Sequence, residues 1–209
     1  PFLVLLVGPL QGVRLVNLLA VGINVLMLAR EHRGLDVASA MRLLLPAAAV
    51  TPFAAFAVHR TDPALLSVIV GVAVLACAFL LASGRRAERL RGRRGMVAAG
   101  AVSAAMNTAS GVGGPAVAMY ALNAEWSTKM TRPTLQLYVL GLNALSFVFL
   151  GPVTVRPFPG VLLGAAIIAG YVLGMTVVRR LSDTTIRRAI LALAVAGGCA
   201  AVIRGVARA

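Results

Sequence analysis

Long apolar runs alternate with short polar loops along the whole chain. Residues 64–83, for example, contain no charged side chain. About 20 apolar helical residues cross a hydrocarbon core of about 30 Å. Six runs have this length: 12–29, 40–58, 64–83, 133–150, 160–178 and 187–204. With 60% hydrophobic residues, the pattern predicts an all-α, polytopic helical membrane protein.

Residues 96–123 are apolar but interrupted. The stretch NTASGVGGPAVAMYAL, at 107–122, places three glycines and a proline among small residues. Backbone groups freed by a helix break in lipid find no water, so such breaks survive where protein buries them or a wet cavity surrounds them. In transporters, broken helices build the substrate site. The sequence predicts two short helices, 96–109 and 115–123, that meet near Ser110–Gly114.

The length of the interrupted segment favours a re-entrant V over a single span. One straight helix of 28 residues would run about 42 Å, whereas two legs of about 21 Å and 14 Å each reach the midplane. The charges agree, because a V places six basic residues inside and three outside, and a single span reverses this count. The six are Lys129, Arg132, Arg179, Arg180, Arg187 and Arg188, and the three are Arg156, Arg204 and Arg208. A tilted, broken span stays open as the alternative.

An internal repeat relates the two halves. VNLLAVGIN at 16–24 parallels LQLYVLGLN at 135–143, with matching Gly-x-Asn endings. Each half continues with two more apolar runs and a basic loop. With a V in the second half, the two halves have opposite orientations, which is the inverted-repeat plan of many transporters.

The repeat divides the chain into 1–83 and 96–209, joined by a basic cytoplasmic linker at 84–95 that carries six arginines. Residues 1–7 align with the second leg of the V. The first repeat is therefore expected to have its own glycine-rich broken segment upstream of Pro1, so that each repeat contains one broken or re-entrant helix.

The stretch SGVGGPAVAMYAL, with RPTLQLYVLGLNALSF after it, resembles the second-half signature of the TauE/SafE sulfite exporter family. More loosely, PFLVLLVGPLQGVRLVNLLAVGINVLML resembles the segment after that family's first glycine-rich motif, which is absent here because the chain starts after it. The resemblance covers essentially the whole chain. It implies a multi-pass protein of the bacterial cytoplasmic membrane that moves small sulfur-containing anions such as sulfite, sulfoacetate or other organosulfonates.

The break itself suits an anion. A helix that begins near Gly114 or Pro115 points unpaired backbone N–H groups and the positive end of its dipole at the midplane. Two amides in the spans are further candidates. The predicted substrate-binding residues are Asn107, Thr108, Ser110, Gly111, Gly113, Gly114, Pro115, Asn24 and Asn143. Two alternatives stay open: the small residues permit tight helix packing, and the amides form interhelical hydrogen bonds.

The formal net charge of +14 does not indicate nucleic-acid binding, because the basic residues lie in short loops where they set orientation. Arg14, Arg42 and Arg132 lie near span ends, where they either draw anions into vestibules or extend to the interface. Two cysteines and two histidines provide no metal-ligand spacing, so no metal or cofactor is expected. All six acidic residues lie in or beside loops, leaving no mid-membrane carboxylate to carry a coupling proton.

These observations favour a transporter of small anions, with export of sulfite or organosulfonates as the resemblance implies. The alternatives are a membrane-embedded enzyme and a non-transporting membrane subunit; oligomeric state is left open. Against an enzyme, ASGVGG lacks the first glycine of a G-x-S-x-G elbow. No histidine lies within a predicted span to serve as a base.

Overall fold

The computed structural model describes residues 9–83, 92–153, 168–174, 176 and 182–207. Every element in these residues is an α-helix, which confirms the predicted fold class at that level. The helices are α1 (Pro9–Arg30), α2 (Val37–Arg60), α3 (Pro63–Ser83), α4 (Gly92–Ser110), α5 (Gly114–Asn123), α6 (Thr128–Leu150) and α7 (Asp183–Val206). Residues 168–174 are helical too; the remainder of the predicted 160–178 span, apart from 176, lies outside the described residues.

Within the described part of the chain, α1, α2 and α6 are long and apolar enough to cross a membrane. Helix α3 is 21 residues long and contains no charged side chain. Large apolar side chains cover the outside of the bundle; Phe53 and Leu193, for example, are 75% and 71% exposed. Asparagines lie inside. This inversion of the usual soluble pattern is that of a protein surrounded by lipid.

Local sequence explains where several helices begin. Asp36 caps α2 by accepting hydrogen bonds from the backbone N–H of Ser39, at 3.0 Å, and from its hydroxyl, at 2.7 Å. These two bonds hold the pKa of the Asp36 carboxyl below its ordinary value. Asp62 caps α3 in the same way, with its Oδ1 2.7 Å from the N–H of Ala64. The Asp36 cap therefore remains a charged acceptor at neutral pH.

Helices α1 and α6, which correspond in the sequence repeat, pack against each other in antiparallel directions. Arg14, near the start of α1, donates to the carbonyl oxygen of Pro152 just after α6, at 3.3 Å. At the other end, the amide of Gln136 lies 3.2 Å from the sulfur of Met27. Contacts that pair the start of one helix with the end of the other require opposite directions.

Helices α3 and α7 form a second antiparallel pair, and their backbones touch. A Cβ atom added at Gly71 would lie 2.7 Å from the carbonyl oxygen of Gly198, and one added at Gly205 would lie 2.6 Å from that of Ala64. Both distances are shorter than real Cβ contacts, so glycine is required at these two positions. Close approach through small residues is a common way for helices to associate in membranes.

Helices α2 and α6 run in the same direction. The backbone N–H of Asp36 donates to the Thr134 hydroxyl at 3.0 Å, and further along both helices Leu44 fills the space beside Gly141. The α1–α2 loop and the start of α6 therefore lie at the same end of the bundle. We name it the inner end, after the prediction from the sequence that the basic loops lie in the cytoplasm.

Helix α4 runs in the same direction as α6. The Tyr138 hydroxyl lies 3.4 Å from the Gly100 carbonyl oxygen. The Ser146 hydroxyl lies 3.4 Å from the Thr108 hydroxyl. Helices α4 and α6 therefore both begin at the inner end. The intervening residues 111–127, which include α5, must return the chain from the far end of α4 to the inner end.

The same directions predict where the loops lie. Because only residues 61 and 62 separate α3 from the outer end of α2, and α7 is antiparallel to α3, residue 183 is expected at the inner end. In a variant with both cysteines replaced by serine, we expect Asp183→Cys and Arg33→Cys to resist a membrane-impermeant thiol reagent in intact cells, whereas Thr61→Cys reacts. Strong external labelling of Asp183→Cys would contradict the shared cytoplasmic location of 84–95, 124–132 and 179–188.

Candidate functional site at the helix break

The interruption predicted from the glycines is present: α4 ends at Ser110 and α5 begins at Gly114. The first leg differs from the prediction, because α4 begins at Gly92 and not at residue 96. Its 19 residues therefore run about 28 Å rather than about 21 Å. Gly111 ends the helix in the left-handed conformation, with φ +73°. This is the usual geometry of the residue after a helix C-terminus.

The chain folds back at the break. The Ser103 hydroxyl donates to the carbonyl oxygen of Gly113 at 2.7 Å, although Ser103 lies two turns before the end of α4. Gly113 therefore lies beside α4 and not beyond its end. A Cβ at Gly113 would lie 2.8 Å from the Ser103 carbonyl oxygen, so only glycine lets the chain pass this close.

The N-terminus of α5 is open in two respects. No side chain caps it, whereas Asp36 and Ser182 cap α2 and α7. Pro115 occupies the first turn, where its missing N–H leaves no bond unmade. A Cβ added at Gly114 would meet no atom within 4 Å. No side chain therefore satisfies the first N–H groups of α5, and nothing lies within 4 Å of the position that a side chain at Gly114 would take.

Asn107 is the centre of a buried polar cluster that joins three helices. Its side-chain Nδ2 donates to Asn17 Oδ1 on α1 at 2.8 Å, and to Asn143 Oδ1 and Ser146 Oγ on α6 at 3.1 and 3.0 Å. The three asparagines are no more than 3% exposed. An amide has two N–H donors, so three acceptors share two hydrogens. The cluster fixes the last turn of α4, immediately before the break.

The structure thus brings together most of the residues predicted for the site. Thr108 joins the cluster through Ser146, and the Ser110 hydroxyl donates to the Met106 carbonyl oxygen at 2.7 Å. The predicted glycines and Pro115 form the turn and the start of α5. Asn24 does not join them: it lies two turns along α1 from Asn17, about 10 Å away, and is 7% exposed.

Three residues of this arrangement were not among those predicted: Asn17, Ser146 and Ser103. A signal existed for Asn17, since it lies seven residues from Asn24 and so on the same face of α1. Two amides on one face of a span usually face protein together. The sequence repeat drew attention to Asn24 alone, because only Asn24 has an asparagine counterpart.

Fold and break together define a polytopic α-helical membrane protein with a polar site inside its bundle. The family model described as Sulfite exporter TauE/SafE matches residues 1–201. The chain belongs to this family, whose members are membrane transporters and not enzymes. No curated protein and no solved structure matches the chain. The resemblance drawn from the glycine-rich segment and the sequence after it is confirmed.

Proposed function

We propose that this protein exports sulfite or a small organosulfonate across the bacterial cytoplasmic membrane. The observation that carries the proposal is the N-terminus of α5, which no side chain caps and where an added Cβ at Gly114 would meet no atom within 4 Å. Oxygen atoms of a sulfite or sulfonate group fit such a site, because helix N-termini bind oxyanions through backbone N–H groups. Family membership supplies the substrate class.

In this proposal the anion is bound mainly by the backbone N–H groups of Gly113, Gly114 and Ala116. The absence of side chains at the two glycines permits close approach. Asn107, Thr108 and Asn143 belong to the site by fixing the turn that presents these donors, since they bond to one another or to Ser146. Asn24 remains a candidate donor, two turns inward along α1.

We further propose that the protein consists of two inverted repeats, 1–83 and 96–209, joined by the linker 84–95. Two observations support this: the corresponding pairs α1–α6 and α3–α7 are antiparallel, as inversion demands. A parallel repeat would make each pair run the same way. The common direction of α4 and α6 also supports a re-entrant α4–α5 pair that enters and leaves at the inner end.

The driving force for export needs no coupling ion. The acidic residues of the sequence lie in or beside loops, so a proton relay of carboxylates through the membrane is not available. A membrane potential that is negative inside drives a monovalent anion outward by about 2.3 kcal/mol per 100 mV. Facilitated diffusion through the break is therefore sufficient for export.

The test is reconstitution in liposomes loaded with sulfite or methanesulfonate. With a potassium diffusion potential imposed, we expect potential-dependent efflux of the anion without chemical change. Protein-free liposomes provide the control. Conversion of the anion would indicate an enzyme. Absence of both flux and conversion would indicate a non-transporting subunit, and either result would refute the proposal.

A further inference from the structure

Asn24 carries a buried amide without a partner. The residue is 7% exposed, and within the part of the chain that the structure describes its amide makes no hydrogen bond. The fully enclosed side-chain atom that lacks a partner there is Arg14 Nε, so the amide atoms of Asn24 still border accessible space. An amide that is buried and unpaired is costly, and this one is reachable by a small ligand.

Asn24 lies at the same level of the bundle as Gln136 on α6. The outer level is fixed by Asn107, which bonds to Asn17 on α1 and to Asn143 on α6. Asn24 follows Asn17 by seven residues, and Gln136 precedes Asn143 by seven. Because α1 and α6 are antiparallel, both steps lead two turns inward along one helix face, about 10 Å. Asn24 and Gln136 therefore form a second, inner pair of amides.

A measured contact supports this register. The Gln136 Nε2 donates to the Met27 sulfur at 3.2 Å, and Met27 lies three residues after Asn24, on the same side of α1. A thioether is only a weak acceptor. The inner pair thus has two N–H donors on Asn24 without an acceptor, and on Gln136 a donor whose present acceptor is easily replaced by an anionic oxygen.

The sequence repeat relates the inner pair to the outer one. At an offset of 119, Asn17 corresponds to Gln136 and Asn24 corresponds to Asn143. The proposed inversion exchanges the inner and outer levels, so the pair Asn24–Gln136 is the counterpart of the pair Asn17–Asn143. The outer pair receives its hydrogen bonds from Asn107, whereas the amide of Asn24 has no bond in the described structure.

The helix break lies between the two levels. Contacts between α4 and α6 join residues whose numbers differ by 38, which places Ser103 at the level of residue 141. Gly113 bonds to Ser103 and therefore lies between the levels of Asn143 and Gln136, about 8 Å outward of Gln136 along the helix axis. An anion that travels from the inner end to the start of α5 passes the level of the inner pair first.

Resting on the proposed function, we infer that Asn24 and Gln136 form an inner anion-binding position, distinct from the one at the start of α5. The ligand class is a monovalent sulfur oxyanion, whose oxygens accept the amide N–H groups. A cation fits poorly, because two uncharged amide oxygens are far fewer than the oxygen ligands that hard cations require. The acidic residues, which would supply charge, lie in or beside loops.

Binding can be measured without transport, by the rise in Tm that potassium methanesulfonate causes relative to an equal concentration of potassium chloride. Asn24→Leu and Gln136→Leu are each expected to increase the half-saturation concentration about tenfold or more. Asn24→Leu should change the Tm without anion little, because its amide has no bond to lose. Thr51→Val is the matched control: Thr51 is also buried, and its hydroxyl bonds within its own helix to Ala47.

Gly114→Val separates the inner position from the one at the start of α5. We expect the Gly114→Val protein to keep a Tm response to methanesulfonate, and the double variant with Asn24→Leu to lose it. Unchanged half-saturation in Asn24→Leu and Gln136→Leu, or no response in the unsubstituted protein, would overturn the inference. A response to sodium that Asn24→Leu removes would also overturn it. Absent flux in liposomes would refute the proposed function, while the Tm measurements would still decide the inner position.

Discussion

Valine at position 114 is expected to abolish anion flux while leaving the protein folded. A side chain there would extend into the open space at the start of α5, because an added Cβ meets no atom within 4 Å. It would occupy the volume where the anion approaches the backbone donors. Gly114 is helical and its φ is not positive, so the substitution adds no left-handed strain and costs less than about 1 kcal/mol of stability. Flux in liposomes and the Tm measure the two effects.

Gly170→Val is the matched control for this substitution. Gly170 is also helical and also has nothing within 4 Å of an added Cβ, but it lies exposed on the outside of the bundle. We expect its flux and Tm to equal those of the unsubstituted protein. If Gly114→Val transports as well as Gly170→Val, the break serves helix packing and does not bind the anion.

Replacing Asn107 by leucine is expected to reduce stability more, and anion flux less, than Gly114→Val does. The change leaves acceptors on Asn17, Asn143 and Ser146 without their shared donor. Interhelical hydrogen bonds in membranes contribute about 0.6 kcal/mol each on average, so we expect a loss of roughly 2 kcal/mol in stability. Flux should fall several-fold, but less than for Gly114→Val, because the proposed ligand contacts come from the backbone.

Asn24→Leu provides the comparison for Asn107→Leu, because it removes a buried amide from α1 that lies outside the cluster. The Tm of Asn24→Leu should fall clearly less than the Tm of Asn107→Leu. Unfolding in micelles, monitored by circular dichroism, measures both variants. Equal destabilisation by the two substitutions would show that Asn107 is not the residue that joins α1, α4 and α6.

Much of this architecture could be predicted because lipid restricts what a sequence can do. Runs of apolar residues form helices, and a cluster of glycines with a proline inside such a run interrupts the helix. As predicted, α4 and α5 are separated at Ser110–Gly114. The start of α4 was predicted four residues late. Its first turn begins at Gly92 and contains Arg93 and Arg94. Because the start of the helix was predicted from the apolar pattern, the charged residues at its beginning were left out.

The contacts within the site were harder to predict, since they depend on which helix faces cross. The glycines at 111, 113 and 114 are equivalent in sequence, yet each has a different role in the structure. Gly111 takes the left-handed conformation, Gly113 passes against Ser103, and Gly114 borders open space. Likewise, only the crossing of α1 and α4 decides that Asn17 and not Asn24 meets Asn107.

The bond between Asn17 and Asn107 also has a consequence for how the protein is made. Its two ends lie 90 residues apart, so at 5–20 residues per second the ribosome adds Asn107 between about 5 and 18 s after Asn17. Throughout that interval α1 must reside in the membrane with an amide that has no partner helix. The Asn17 Nδ2 already donates one of its two hydrogens to the Val13 carbonyl oxygen within its own helix, at 2.9 Å. That bond lowers the cost of an unpaired amide in lipid, while the acceptor oxygen waits for the later helix.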